Sequence, residues 1–101
     1  MSKQTDRIMQ MEKLFDEATS VINDFEKNLN KYNRIQKKID QLEEYYFSSL
    51  WRKDYEDDEK GKIKNIKKGV LSQDGIYNML INNDELLKKL DKFVKKNKWE
   101  L

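Results

Sequence analysis

The first half of the chain carries apolar residues at alternating spacings of three and four positions. This spacing is typical of a helix that buries one face along a heptad seam. Leu14 and Val21 widen the seam into a stripe. The seam itself consists of Ile8, Met11, Phe15, Ala18, Ile22, Phe25, Leu29 and Tyr32.

The stripe slips by one position after Tyr32 and continues through Ile35, Ile39, Leu42, Tyr46 and Leu50. Either a stammer in one continuous helix or a turn at Asn28, Asn30 and Asn33 explains the slip, since asparagine tolerates the left-handed conformation. A helix over about residues 5–58 would be about 80 Å long, whereas a compact chain of this size is about 26 Å across. We therefore favour the hairpin, because a continuous helix would need a second copy to cover its seam.

The second half predicts two shorter helices. The run KIKNIKKGV indicates an irregular basic connector. Ser72 is a good N-cap for a helix over about 73–82, with Asp74 in its first turn. Asn82 and Asn83 interrupt that helix, and a last helix covers about 84–97. We expect an all-α fold in one domain over residues 1–101: a helical hairpin or long helix (about 5–58) packed by these two helices.

Composition narrows the classes of function. The chain of 101 residues is 37% hydrophobic and 40% charged, has a mean hydropathy of −1.06, and contains no proline, cysteine or histidine. We therefore expect a small hydrophobic core. Because the chain has no cysteine or histidine, it cannot form disulfides or zinc-thiolate sites and cannot use imidazole catalysis. We expect a protein that is not an enzyme and uses no cofactor or metal. Without a signal-like segment or an apolar span, we expect it in the cytoplasm.

The stretch YYFSSLWRKDYEDDEKG, residues 45–61, combines five aromatic residues with five nearby acids. On a helical wheel Tyr46 and Leu50 continue the stripe, whereas Phe47 and Trp51 lie on a second side. We expect Trp51 to be the junction with the C-terminal helices. The candidate junction or interaction residues are Tyr46, Phe47, Trp51, Asp54, Tyr55, Gly69, Leu71, Ser72, Asp74 and Tyr77.

The acids at the end of this helix can be interpreted in two ways. The helix dipole disfavours negative charge there, so we expect the basic connector to fold back over them. Alternatively Asp54 and Asp58, one turn apart, could bind magnesium or calcium, although no calcium-loop spacing is present.

The last helix has a basic face that could bind nucleic acid or an anionic surface through Lys88, Lys89, Lys92, Lys95 and Lys96. The simpler interpretation is that these lysines form the solvent-facing side of an amphipathic helix. Trp99 could anchor a partner or cap the core.

The aromatic stretch and the later run KKGVLSQDGIY together resemble the small bacterial proteins grouped as the domain of unknown function DUF4298. The resemblance covers about residues 10–92 and implies a small helical protein without an assigned activity. Gly75 departs from the pattern, and we expect it to weaken its helix by up to about 1 kcal/mol relative to alanine. The matching positions are Tyr45, Tyr46, Ser48 or Ser49, Trp51, Asp54, Tyr55, Glu56, Gly61, Gly69, Val70, Leu71, Ser72 and Asp74.

The sequence thus predicts a non-enzymatic module that binds another protein or regulates one, with homo-oligomerisation as a further possibility. Binding of nucleic acid or an anionic surface by the basic helix is the alternative, and a carboxylate metal site is the least favoured.

Overall fold

The computed structural model describes residues 2–97, in which every regular element is a helix and no strand occurs. Helix α1 covers Lys3–Tyr46, α2 covers Ser49–Glu59, a short 3₁₀ helix covers Gly69–Leu71, and α3 covers Gly75–Lys96. The all-α prediction is therefore confirmed. Trp99 lies outside the described residues.

The chain divides into two compact units, Met1–Lys37 and Lys38–Leu101. The first unit consists of the N-terminal part of α1, and the second contains the end of α1 and all later elements. The single domain over residues 1–101 stays a prediction.

Helix α1 runs without a break through residues 28–33, so the favoured hairpin is wrong and the long helix is correct as far as Tyr46. Asparagine costs a helix less than about 0.7 kcal/mol per residue, far less than proline. Because residues 1–60 contain neither proline nor glycine, nothing forces a turn there. The slip in the stripe is a change of phase along one helix.

The break in the predicted helix lies at Phe47 and Ser48. Ser48 has extended backbone angles, φ −95° and ψ 162°, and is the N-cap of α2. Its hydroxyl donates to the Tyr45 carbonyl at 2.6 Å and accepts from the Trp51 N–H at 3.4 Å. One serine side chain thus forms hydrogen bonds with both the end of α1 and the start of α2.

Helix α2 ends in a glycine-based C-cap. Gly61 has φ +75°, and its N–H donates to the Asp58 carbonyl at 2.9 Å. The Lys62 N–H donates to the Asp57 carbonyl at 3.0 Å, which completes a Schellman motif. The connector therefore turns back at Gly61.

The connector meets the acidic end of α2, as predicted from the opposed charges. Lys68 Nζ lies 2.6 Å from Asp58 Oδ1, and Lys62 Nζ lies 3.9 Å from Asp57 Oδ1. Lys68 also donates to the Ile63 carbonyl at 3.1 Å. The prediction is confirmed for these two lysines.

Helix α3 is one helix, so the two predicted C-terminal helices are joined and the interruption at Asn82 and Asn83 is wrong. The N-cap position belongs to Asp74, whose side chain makes no capping hydrogen bond. Ser72, the predicted cap, instead donates its hydroxyl to the Gly69 carbonyl at 2.8 Å.

Gly75 is required by close packing at the start of α3, which corrects the expectation that alanine would be better there. A Cβ at this position would lie 2.4 Å from Ser72 Oγ and 2.7 Å from the Gly69 carbonyl oxygen. Leu71 and Ile76, on either side of this turn, are the buried hydrophobic residues of the described chain.

Candidate functional site

The junction between α1 and α2 carries four aromatic side chains in a row, which we call the aromatic cluster: Tyr46, Phe47, Trp51 and Tyr55. The Tyr46 ring meets the Phe47 and Trp51 rings edge-on, at centroid distances of 5.1 and 4.9 Å. Trp51 and Tyr55, one turn apart on α2, are stacked at 5.2 Å with an angle of 18° between their planes. Such ring pairs stabilise by about 0.5–1.5 kcal/mol beyond the area they bury.

Trp51 joins α2 to the segment before α3. Its indole N–H donates to the Val70 carbonyl at 2.8 Å, and Val70 lies in the 3₁₀ helix. The residue is half-buried, with its N–H bound to the 3₁₀ helix and the rings of Tyr46 and Tyr55 packed against it. The structure therefore places Trp51 between α2 and the 3₁₀ helix.

Tyr45 connects α1 to α2 on another side. Its hydroxyl donates to Asp54 Oδ2 at 2.7 Å. Partial burial of the phenol, the hydrogen bond to Asp54 and the negative charge of Asp54 raise the pKa of Tyr45 to about 12. Tyr45 is therefore a neutral hydrogen-bond donor at physiological pH.

Two grooves flank the Trp51 ring. One of about 420 Å³ is lined by Tyr46, Phe47, Ser48, Ser49, Trp51 and Arg52. The other, of about 370 Å³, is lined by Tyr46, Trp51, Arg52, Tyr55, Glu56 and Gln73. Asp54 and Asp58 line neither groove, so the acids proposed as ligands do not surround the half-buried indole.

Phe47 and Tyr77 face a third, smaller groove of about 230 Å³ together with Glu43, Leu80, Ile81 and Asp84. Phe47 remains 72% exposed and Tyr77 49% exposed. The end of α1 and the start of α3 thus line a shallow apolar surface.

The remaining predicted junction residues form the turn before α3. Gly69 and Leu71 bound the 3₁₀ helix, and Leu71 is 7% exposed. Ser72 and Asp74 then lead into α3. This turn supplies the Val70 carbonyl that Trp51 binds.

The two carboxylates proposed as a metal site have other partners. Asp54 accepts from Tyr45 and Asp58 from Lys68. Within residues 2–97 no group of three or more acidic, histidine or cysteine side chains is placed to hold a metal ion. In the structure, each of the two acids therefore takes part in a different hydrogen bond.

The basic face of α3 is interleaved with acids. Lys88 pairs with Asp84 at 3.0 Å and Lys95 with Asp91 at 2.9 Å, each one turn apart on the same helix. Lys89, Lys92 and Lys96 lie exposed on the same helix. The local acids reduce the positive potential that phosphates would meet.

A larger exposed feature lies in the first unit. No residue of α1 is buried, and Phe15 and Ile22 are each 64% exposed. We define the α1 stripe as the row of apolar residues along α1 in the first unit, which changes phase after Tyr32 and continues at Ile35: Ile8, Met11, Leu14, Phe15, Ala18, Val21, Ile22, Phe25, Leu29 and Ile35.

The family model of a domain of unknown function, DUF4298, matches residues 8–93. The chain belongs to the DUF4298 family. The matched part of this DUF4298 domain includes the α1 stripe, the aromatic cluster and most of α3. No curated protein and no solved structure matches the chain. None of the helices described in residues 2–97 is both long and apolar enough to cross a membrane.

Sequence reasoning missed several residues that build the junction. Tyr45 and Ser48 were noted only as positions that match the family motif. Val70 contributes through its backbone carbonyl, which a pattern of side chains does not reveal. The serine pair before Trp51 was the available signal for the break, because serine is a preferred N-cap. No comparable signal marks the bond between Tyr45 and Asp54, nine residues apart.

Proposed function

We infer that this DUF4298 protein is a non-enzymatic helical module that binds another protein chain through the α1 stripe. The exposure of that stripe is the observation that carries the proposal. Apolar residues cover one face of α1 from Ile8 to Leu29, the stripe continues at Ile35 after its change of phase, and Phe25 near its middle is 54% exposed.

The proposal follows from what stabilises helices in proteins. Helices in proteins are held mostly by packing of an apolar face rather than by intrinsic propensity. Contiguous apolar patches of more than a few hundred Å² on a soluble protein mark interaction sites. The α1 stripe runs along about eight helical turns, so a partner that covers it would stabilise α1.

The absence of histidine and cysteine from the sequence supports a binding role. The chain thereby lacks the two side chains most often used as a general base or thiol nucleophile near neutral pH. The carboxylates at the junction, Asp54 and Asp58, are engaged by Tyr45 and Lys68. Binding of nucleic acid by α3 receives less support, because Asp84 and Asp91 offset two of its lysines.

Site-specific photo-crosslinking in the source cell tests this proposal. A benzophenone amino acid at Ala18 lies within the α1 stripe, and the same residue at Ser20 lies about 140° away from the centre of the stripe. We expect a discrete crosslinked protein at position 18 that is absent at position 20. Equal labelling at both positions, or labelling of nucleic acid alone, would refute the proposal.

A further inference from the structure

The charges along the first unit are segregated. Residues 14–26 contain four acids and no base, whereas residues 27–37 contain four bases and no acid. The acids are Asp16, Glu17, Asp24 and Glu26, and the bases are Lys27, Lys31, Arg34 and Lys37. The boundary between the two segments lies at Glu26 and Lys27, within the length of the α1 stripe.

This segregation distinguishes parallel from antiparallel pairing of two α1 helices. A parallel pair in register would place each acidic segment beside the same acidic segment of the other copy. An antiparallel pair centred near Lys27 would place the acidic segment of each copy beside the basic segment of the other. The second arrangement is electrostatically favoured.

The positions that border the stripe agree with the antiparallel arrangement. With residues placed 100° apart, Asp24 and Lys31 lie at the same border of the α1 stripe. In an antiparallel pair centred near Lys27, Asp24 of one copy lies opposite Lys31 of the second copy. Twofold symmetry repeats this contact, so each dimer contains it twice.

The apolar residues match in the same register. Phe25 lies opposite Leu29 of the second copy, and Val21 lies opposite Ile35 of the second copy. These residues are 54%, 43%, 61% and 40% exposed, respectively, in the single chain. The stripe is wider than a two-position seam because Leu14 and Val21 extend it on the side of Asp24, which favours a broad helix–helix contact.

We propose that the α1 stripe binds the α1 stripe of a second copy of this chain in an antiparallel arrangement, with Asp24 opposite Lys31. This inference rests on the proposed function, since it names the partner that the stripe binds. Both proposals depend on the exposed stripe, and the segregated charge is the separate observation that supports a second copy in an antiparallel arrangement.

Sedimentation velocity of the full chain over a range of concentrations tests the inference. We expect a dimer that dissociates on dilution. Asp24→Lys and Lys31→Asp each place like charges opposite one another at both symmetric contacts, and each should weaken dimerisation about tenfold. An equimolar mixture of the two variants restores both attractive contacts, so it should dimerise as well as the wild type.

Lys27→Asp is the matched control, because it makes the same change of charge about 160° away from the stripe and should alter dimerisation by less than about threefold. A wild-type chain that stays monomeric overturns the inference but leaves binding to another protein intact. A dimer that Asp24→Lys does not weaken, or a mixture that fails to recover, also overturns the antiparallel arrangement. Absence of any crosslink at Ala18 would instead refute the proposed function itself.

Discussion

The hydroxyl of Tyr45 donates a hydrogen bond of 2.7 Å to Oδ2 of Asp54. Tyr45 lies in the last turn of α1 and Asp54 in the middle of α2, so the bond crosses the break at Phe47 and Ser48. It acts beside the Ser48 hydroxyl, which contacts both helices. The junction is therefore held by the side chains of Tyr45 and Ser48 as well as by the ring contacts of the aromatic cluster.

The raised pKa of Tyr45 predicts a loss of stability in alkali. The folded-state value is about 12 against an ordinary value of 10.0, so the stabilisation is complete below pH 10 and is lost as pH rises towards 12. Urea unfolding of wild type and Tyr45→Phe should give a difference in unfolding free energy that is constant below pH 10 and falls above it.

Asp54→Asn provides the matched control for this titration. It removes the negative charge that opposes ionisation of Tyr45, so tyrosinate absorbance should show the Tyr45 pKa moving down towards 10.0. If wild type and Tyr45→Phe lost stability in parallel up to pH 12, the hydrogen bond would not contribute.

Substitutions of Trp51 separate its hydrogen bond from its ring contacts. Trp51→Phe removes the donor to Val70 and should lower the unfolding free energy by about 1 kcal/mol. Trp51→Ala also removes the contacts with Tyr46 and Tyr55, and should cost about 3 kcal/mol. Phe47→Ala is the control, because Phe47 is 72% exposed, and should cost less than about 1 kcal/mol. Equal effects of all three, measured by urea unfolding, would contradict this placement.

Gly75→Ala should destabilise the protein although alanine is the better helix former. The added Cβ would lie 2.4 Å from Ser72 Oγ, and relief of such a contact costs about 1–3 kcal/mol. Gly69→Ala is the matched control, since nothing lies within 4 Å of its added Cβ, and should be neutral or slightly stabilising. A higher melting temperature for Gly75→Ala than for wild type would show that the turn is looser than described.

The two ion pairs of the connector should differ in strength. Lys68 is within 2.6 Å of Asp58 and also donates to the Ile63 carbonyl, whereas Lys62 is 3.9 Å from Asp57 and its side chain is 63% exposed. We expect Lys68→Met to cost about 1 kcal/mol and Lys62→Met to cost almost nothing. Chemical unfolding at low and high salt checks both values, and a larger loss for Lys62→Met would reverse the assignment.

Local signals predicted a substantial part of the fold. The absence of proline and glycine before Gly61 predicted long helices, and Gly61 marks the end of α2 because it adopts φ +75°. The opposed charges predicted the contact between Lys68 and Asp58. Each of these depends on residues close in sequence, where spacing and residue type are sufficient.

The errors came from relationships that spacing does not encode. The hairpin was favoured by assuming that the chain is compact, yet no strong breaker occurs at residues 28–33. The role of Gly75 depends on the position of the Gly69 carbonyl, and that of Trp51 on the Val70 carbonyl. Backbone groups in an irregular turn leave no trace in a hydrophobic pattern.

The small number of buried side chains has a thermodynamic consequence. Among the described hydrophobic residues only Leu71 and Ile76 are buried, so unfolding a single chain uncovers little new apolar surface. For the unpaired chain, the heat-capacity increment of unfolding and the slope of stability against denaturant should both be small for 101 residues. Calorimetry at concentrations below those at which the chain dimerises should therefore record a broad transition whose enthalpy varies little with temperature.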